Sequence, residues 1–302
     1  MIATVTLNPA IDYTATVDRR FDPGSVLRTD DVRYDAGGKG INVSKYLVAL
    51  GVDTVATGLI GGIPTAFLTA QLARDGVLTD FVEIDGTTRL NTTVLAADGE
   101  YKINQDGPTV SPDVVDDVIA VLREHDPRSV VVAGSLPPGL DAPDVDRIAR
   151  AGNWTTDVDL AGDLLHRLEA DYGVCKPNRA ELAAATGDPV GTVDDCLRAA
   201  RRLQRDGFER VVASLGADGA VLAAENELLH SAAVDEPIVD TVGAGDALFA
   251  GVLASLLEGE SNETALRTGV TGASKAVSVS GTRVPRMEDT KTDLGDVSVA
   301  RY

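Results

Sequence analysis

Positive charge is the scarcest property of this sequence. Its 302 residues carry 27 Lys and Arg against 47 Asp and Glu, a formal charge of −20 with a pI near 4.4. The only lysines are Lys39, Lys45, Lys102, Lys176, Lys275 and Lys291. Such a surface repels nucleic-acid phosphates and no basic stripe offsets it, so no nucleic-acid partner is expected. The acidity reads either as plain solubility or as adaptation to concentrated salt, where carboxylates keep a surface hydrated. The shortage of lysine favours the second reading. No run of about 18 apolar residues is present, so no membrane span is expected. The opening Ile2–Leu7 lacks a basic start followed by an apolar core, so the expected location is cytoplasmic. Cys175 and Cys196 have no metal-like spacing and read as small buried residues. His125, His166 and His230 are scattered singles, which leaves no zinc set and no Ser-His-Asp pattern.

What is present is a 44% hydrophobic chain, enough for one large α/β core. Strand-like runs fall at Ile2–Leu7, Thr54–Leu59, Ser129–Ala133, Thr156–Leu160, Gly173–Lys176 and Arg210–Ser214. Helical patterns start near Gly40, Ala66, Asp113, Ala142, Asn178, Thr192, Ala244 and Asn262. This alternation predicts a mostly parallel sheet with helices on both faces, and ligands outside the carboxyl ends of its strands. Two stretches break the rhythm, about 12–34 and 80–104. The second carries the turn signals Asp85-Gly86 and Asp98-Gly99 between strand-like runs. Consecutive strands without helices read as antiparallel ribbon. The two stretches are expected to form one small lid sheet; the alternative is an extension of the main sheet's edge. No repeat or linker divides the chain, so residues 1–302 read as a single domain with the lid segments inserted. The end, after Arg286, is polar and acidic and reads as peripheral.

The strongest local signal is the run Asp240–Gly251. After Gly245, apolar residues recur at helical spacing (Leu248, Phe249, Val252, Leu253, Leu256 and Leu257), so the glycines sit where a helix begins. Small residues there let backbone N–H groups approach a phosphate, and a helix N-terminus is electropositive. Asp246 falls in the first turn, where a carboxylate can take a hydroxyl proton during phosphoryl transfer. The plainer reading is an acidic residue complementing its helix dipole. A Walker loop is excluded: in Gly37-Gly38-Lys39-Gly40, Gly40 occupies the Ser/Thr position and Arg33 the leading Gly position.

With the Gly37–Ser44 and Asp240–Gly251 runs in this order and separation, the chain resembles the PfkB (ribokinase-like) carbohydrate kinases from Ile2 to Pro285. The opening Thr6-Leu7-Asn8-Pro9-Ala10-Ile11-Asp12 looks like the family's phosphosugar branch. That branch comprises 1-phosphofructokinases, 6-phosphofructokinases of this fold and tagatose-6-phosphate kinases; overall likeness is greatest to the first. The resemblance implies a three-layer α/β/α sandwich with a small β-sheet lid, ATP and Mg²⁺ as cofactors, and a homodimer through the lid.

Carried over residue by residue, the resemblance makes Asp246 the base, with the amides of Gly243, Ala244 and Gly245 stabilising the transferring group. Asp12 binds sugar hydroxyls, for which a two-oxygen acceptor is suited, together with Gly38, Lys39, Asn42, Asn91 and Ser135. Arg89, in Thr88-Arg89-Leu90-Asn91-Thr92, takes the phosphate already on the sugar, as a guanidinium fork is shaped to do. Lys102 and Arg28 are further basic candidates; in some relatives the residue at Lys102 serves the partner's site. Lys176, Asn178, Ser214, Gly216, Thr241, Gly243, Gly245 and Lys275 are the implied nucleotide contacts. Asn178 and Glu181 are the implied magnesium residues, acting through water because magnesium keeps several waters. Each has a structural alternative: Asp12 and Ser135 as turn residues, Asn42 as a first-turn helix residue, Asn178 and Glu181 as a capping box, the basic residues as solvated charge. Lys275 departs from the branch, which has a small or amide residue there. Gly61-Gly62-Ile63-Pro64 departs from its usual glycine spacing.

The implied reaction converts fructose 1-phosphate to fructose 1,6-bisphosphate. The competing acceptors are fructose 6-phosphate and tagatose 6-phosphate. 2-Keto-3-deoxygluconate fits Arg89 and the Asn-Pro-Ala-Ile-Asp opening less well. A non-catalytic sugar-phosphate sensor is the alternative of another class, and a sensor has no need of Asp246.

Overall fold

The computed structural model describes residues 1–302 apart from 235, 236, 280, 292, 293, 295 and 296. Of the polar, acidic end read as peripheral, 292, 293, 295 and 296 therefore lie outside the described residues. In chain order the elements are β1 (Ile2–Thr6), β2 (Ala10–Val17), β3 (Val32–Gly37), α1 (Lys39–Ala49), β4 (Thr54–Ile60), α2 (Pro64–Arg74), β5 (Leu78–Thr79) and β6 (Val82–Glu83). There follow β7 (Arg89–Ala96), β8 (Gly99–Ile103), α3 (Val114–His125), β9 (Ser129–Ala133), α4 (Ala142–Arg150), β10 (Thr155–Asp159), α5 (Gly162–Leu165) and β11 (Tyr172–Cys175). The remainder is α6 (Arg179–Thr186), α7 (Val193–Arg205), β12 (Phe208–Ser214), β13 (Ala220–Ala224), β14 (Glu227–Ser231), α8 (Ala244–Leu257), α9 (Asn262–Ala276) and β15 (Ala300–Arg301).

The expected α/β architecture is found. The large sheet runs β15-β14-β13-β12-β11-β10-β9-β1-β4-β5, with β6 also against β4. From β4 through β12 the pairings are parallel. Its strand residues alternate between two cores, as a pleated strand requires. Ala3, Val5, Val130, Val132, Val211 and Ala213 pack with Val118, Leu122, Ile148, Leu182 and Leu203 on one side. Ile2, Val131, Ala133 and Val212 pack with Leu47, Leu248, Phe249, Val252 and Leu266 on the other. The antiparallel extension β13-β14-β15 escaped the sequence reading. Ala220–Ala224 is buried throughout and so shows no alternation, and its turn, Glu225-Asn226, contains neither Gly nor Pro.

A separate sheet has the order β3-β2-β7-β8. Two corrections to the ribbon reading follow. Val82–Glu83, inside the stretch 80–104, pairs with β4 of the large sheet. The junction of the two expected lid segments is parallel, β2 against β7, with Asp12 opposite Asn91. Cross-strand partners share a face, which sorts this sheet cleanly. Asp12, Asp35, Arg33, Asn91, Thr93 and Lys102 lie on one face. Ile11, Tyr13, Val32, Tyr34, Leu90, Val94 and Ile103 lie on the other. The root of the apolar face is sealed, with Ile11 and Ala36 packing on Leu68 and Leu72 of α2. Further out it is open to solvent, with Tyr34 51% and Ile103 63% exposed.

The helix starts also differ. α4, α6 and α7 open with reciprocal capping boxes (Asp141/Asp144, Asn178/Glu181, Thr192/Asp195). α1 and α8 open at Gly38 and Gly243, with φ of +120° and +79° and no side-chain cap. Their first amides are thus left for another acceptor.

Candidate active site

Five strands of the large sheet end on the same rim, at Thr6, Ala133, Asp159, Cys175 and Ser214. The starts of α1, α6 and α8 meet there. Asp246, 8% exposed, lies in the first turn of α8, and Asn42 of α1 donates Nδ2–H to its Oδ2 at 2.9 Å. Burial, with the nearby charge of Asp159, pushes the Asp246 carboxyl up to about 6, against the opposing pull of Lys176, the Asn42 hydrogen bond and Lys39. A carboxylate with that value is ionised at neutral pH yet able to receive a proton.

Asp159, absent from the sequence-predicted set, ties the rim together. It is fully buried at the end of β10, accepts from Lys39 Nζ at 2.8 Å, and pairs through its other oxygen with Lys176 Nζ at 3.0 Å. Lys39 also reaches Glu181 at 3.3 Å. Burial opposes its charge but is outweighed by Asp159 and Glu181, so its ammonium pKa is raised. Two ammonium groups are thereby held at the helix starts, and a Cβ at Gly245 would lie 3.4 Å from Lys176 Nζ. The available signal was two carboxylates, Asp157 and Asp159, inside a buried strand, one of them at its carboxyl end.

Beside the start of α8 a cavity of about 590 Å³ is lined by Asn178, Ser214, Gly216, Thr241, Ala244 and Gly245 among others. Ala273, Ser274 and Val277 line it from α9 and just beyond, whereas Lys176, Gly243 and Lys275, expected as nucleotide contacts, do not. Ala244 N–H already makes a long bond of 3.4 Å to the Thr241 carbonyl. Asn178 and Glu181 cap each other, Oδ1 accepting from Glu181 N–H at 2.9 Å and Oε2 from Asn178 N–H at 2.8 Å. Among the described residues no group of three or more His, Cys, Asp or Glu is disposed to hold a metal directly. This donor set suits a hydrated ion approached through water.

The polar face of the small sheet carries Asp12. Asn91 Nδ2–H donates to its Oδ1 at 2.9 Å, and burial raises its pKa. A Cβ at Gly37 would stand 2.1 Å from Asp12 Oδ2, which is the physical reason for glycine there. Arg89 spans the gap between the sheets, donating to the carbonyls of Gln105 and Asn8, each at 3.0 Å, and to Ser135 Oγ at 3.1 Å. Its Nε–H is buried with no partner. Asn8 Nδ2–H donates to Ser135 Oγ at 3.2 Å and to the Asp106 carbonyl at 2.9 Å. Asn8, Gln105 and Asp106 escaped the sequence reading: Gln105 and Asp106 accept through backbone carbonyls, and the Asn8 side chain meets partners about 100 or more positions away. Lys102 is exposed and pairs with Glu100 at 3.1 Å. Arg28 lies in the exposed loop between β2 and β3. Neither joins this constellation within the chain.

Comparison with known proteins is in accord with this geometry. The sequence profile of the pfkB family carbohydrate kinases matches residues 5–290. A 1-phosphofructokinase of Haloferax volcanii is 52% identical over 299 residues, covering 99% of this chain and 98% of its own. A D-tagatose-1-phosphate kinase of Bacillus licheniformis is 33% identical, covering 83% of this chain and 84% of its own. Phosphofructokinase-2 of Escherichia coli in complex with potassium superposes with a TM-score of 0.89 at 29% identity, covering 97% of each chain. A tetrameric inhibited form of that protein gives 0.87.

Proposed function

We propose that this chain, which belongs to the pfkB family of carbohydrate kinases and is a sugar kinase, transfers the γ-phosphoryl group of ATP to the free primary hydroxyl of fructose 1-phosphate. The observation that carries this reading is Asp246 in the first turn of α8, next in chain to Ala244 and Gly245 of the cavity lining and bonded to Asn42 of α1, the helix that follows the glycine packed against Asp12. Asp12 and Asn91 orient the sugar hydroxyls. Arg89 takes the resident phosphate with its remaining donors, the buried Nε–H among them. Asp246 accepts the proton of the attacking hydroxyl. The α8 amides, with Lys39 and Lys176 held by Asp159, oppose the charge that builds on the transferring group. Asn178 and Glu181 would hold magnesium through water. Bound there with the nucleotide, the ion would neutralise phosphate charge.

The small sheet acts as a lid in this reading, with its polar face over the sugar, and the enzyme works in the cytoplasm. The acidic surface, read as a high-salt adaptation, accords with the likeness to the Haloferax volcanii protein. The 1-phosphate acceptor is supported by the names of the Haloferax and Bacillus relatives, the second of which makes tagatose 1-phosphate the competing substrate. A coupled ATP assay in concentrated potassium chloride is expected to give the highest kcat/KM with fructose 1-phosphate, ahead of tagatose 1-phosphate, and little turnover with either 6-phosphate. A higher value for a 6-phosphate would reverse the assignment.

The open apolar face of the lid supports a homodimer through that sheet, the partner covering Val32, Tyr34 and Ile103. Analytical ultracentrifugation is expected to give the dimer mass, and Tyr34→Glu the monomer mass. A monomeric parent protein would remove the proposal.

A further inference from the structure

Tyr46 is buried to 1% exposure in α1, yet its hydroxyl has no hydrogen-bond partner. A buried tyrosine normally pairs its O–H, and packing alone would be served by phenylalanine. Its surroundings show what the oxygen faces. Tyr46 lies one turn beyond Asn42, on the same side of α1, and Asn42 donates to Asp246. A Cβ at Gly243 would come within 3.1 Å of the Tyr46 hydroxyl. Gly243 is the N-cap of α8 and Asp246 its third helical residue, the position whose side chain folds back over the N-cap. Asn42 and Tyr46 thus bear on one helix start from one face of α1.

We propose that Tyr46 is a positioning residue for the base: its hydroxyl backs the left-handed turn at Gly243 and turns its hydrogen toward the Asp246 carboxylate, bonding to it when the helix start closes on substrate. The inference rests on the kinase reading with Asp246 as base. The buried negative charge raises the Tyr46 pKa, after the larger effect of burial itself, so the phenol stays protonated and able to donate. The other charged groups acting on Asp246 are Asp159 from β10, Lys176 beyond β11 and Lys39 from α1. Asp159 opposes ionisation and the two lysines favour it. The Tyr46 hydroxyl adds a neutral donor from α1, and Tyr46 is not among the residues that line the cavity.

The test is Tyr46→Phe, assayed with ATP and fructose 1-phosphate across pH, with melting temperature measured in parallel. Removing a donor to the carboxylate should move the acid limb of kcat upward by about one pH unit. The plateau of kcat should fall about tenfold or less, while both KM values stay within a factor of about two. Melting temperature should hold or rise, because the hydroxyl removed is unpaired in the free enzyme. An unmoved acid limb, or a loss of several degrees in melting temperature, would overturn the proposal, the latter by showing that the hydroxyl serves the fold. A parent enzyme whose kcat/KM, which reports the free enzyme, shows no acid limb near pH 6 would count against the base assignment itself, which separates the two failures.

Discussion

Replacing Asp246 by Asn should cut kcat by about 10²–10⁴-fold, the range for loss of a positioned general base. Binding of fructose 1-phosphate and of ATP should change little. Asn keeps the shape of the side chain and can still accept the Asn42 hydrogen bond through its amide oxygen. The same substitution should stabilise the protein, and the effect should depend on pH in a defined sense. Asp246 has its carboxyl raised from 3.8 to about 6 in the fold, so the folded state binds a proton that the unfolded state has released. Its contribution to stability is fully present below pH 3.8 and is lost as pH rises through 6. Above that, the buried ionised carboxylate of Asp246 destabilises the fold by on the order of a few kcal/mol. The melting temperature of Asp246→Asn should therefore exceed that of the parent at pH 8, the gap closing toward pH 4. The parent's kcat/KM should fall as pH drops through about 6. Retained turnover in the variant would end the base assignment. A stability gap independent of pH would end the account of Asp246 as a strained, buried charge.

Arg89→Ala should raise the KM for fructose 1-phosphate roughly 100-fold, in line with truncating one partner of a buried charge pair. The KM for ATP should stay within a few-fold. The contrast matters because Arg89 also holds its surroundings, donating to the Asn8 and Gln105 carbonyls and to Ser135. A purely structural loss would damage both substrates' kinetics. Unphosphorylated fructose separates the cases: its weak turnover should be nearly insensitive to Arg89→Ala, since the lost partner is the sugar's phosphate. Arg89→Lys should recover only part of the deficit, because an ammonium is a point charge without the guanidinium's fork. An unchanged KM for fructose 1-phosphate would take Arg89 out of the site.

Much of the molecule is legible in its sequence where the signal is local. The β-branched runs and helical periodicities mark most of the parallel core, because each element must bury one stripe or face. The α8 start is legible because glycines, an acidic first turn and an apolar period lie within a dozen residues. Arg89 and Asp12 are identifiable as candidates by family likeness alone. Tertiary structure decided the rest. That Asp12 faces Asn91 depends on a parallel register between segments 79 positions apart, with two helices and four strands between them. Nothing in either segment encodes that register. Asp159 looks like one acidic residue among many until the sheet order places β10 between β9 and β11 and brings two lysines, from α1 and from beyond β11, onto one carboxylate. The grip on Arg89 by backbone carbonyls has no side-chain signature. Residue types and short periods determine which groups can do chemistry; only closure of the sheet determines which of them share a low-dielectric rim, where their charges act on one another strongly.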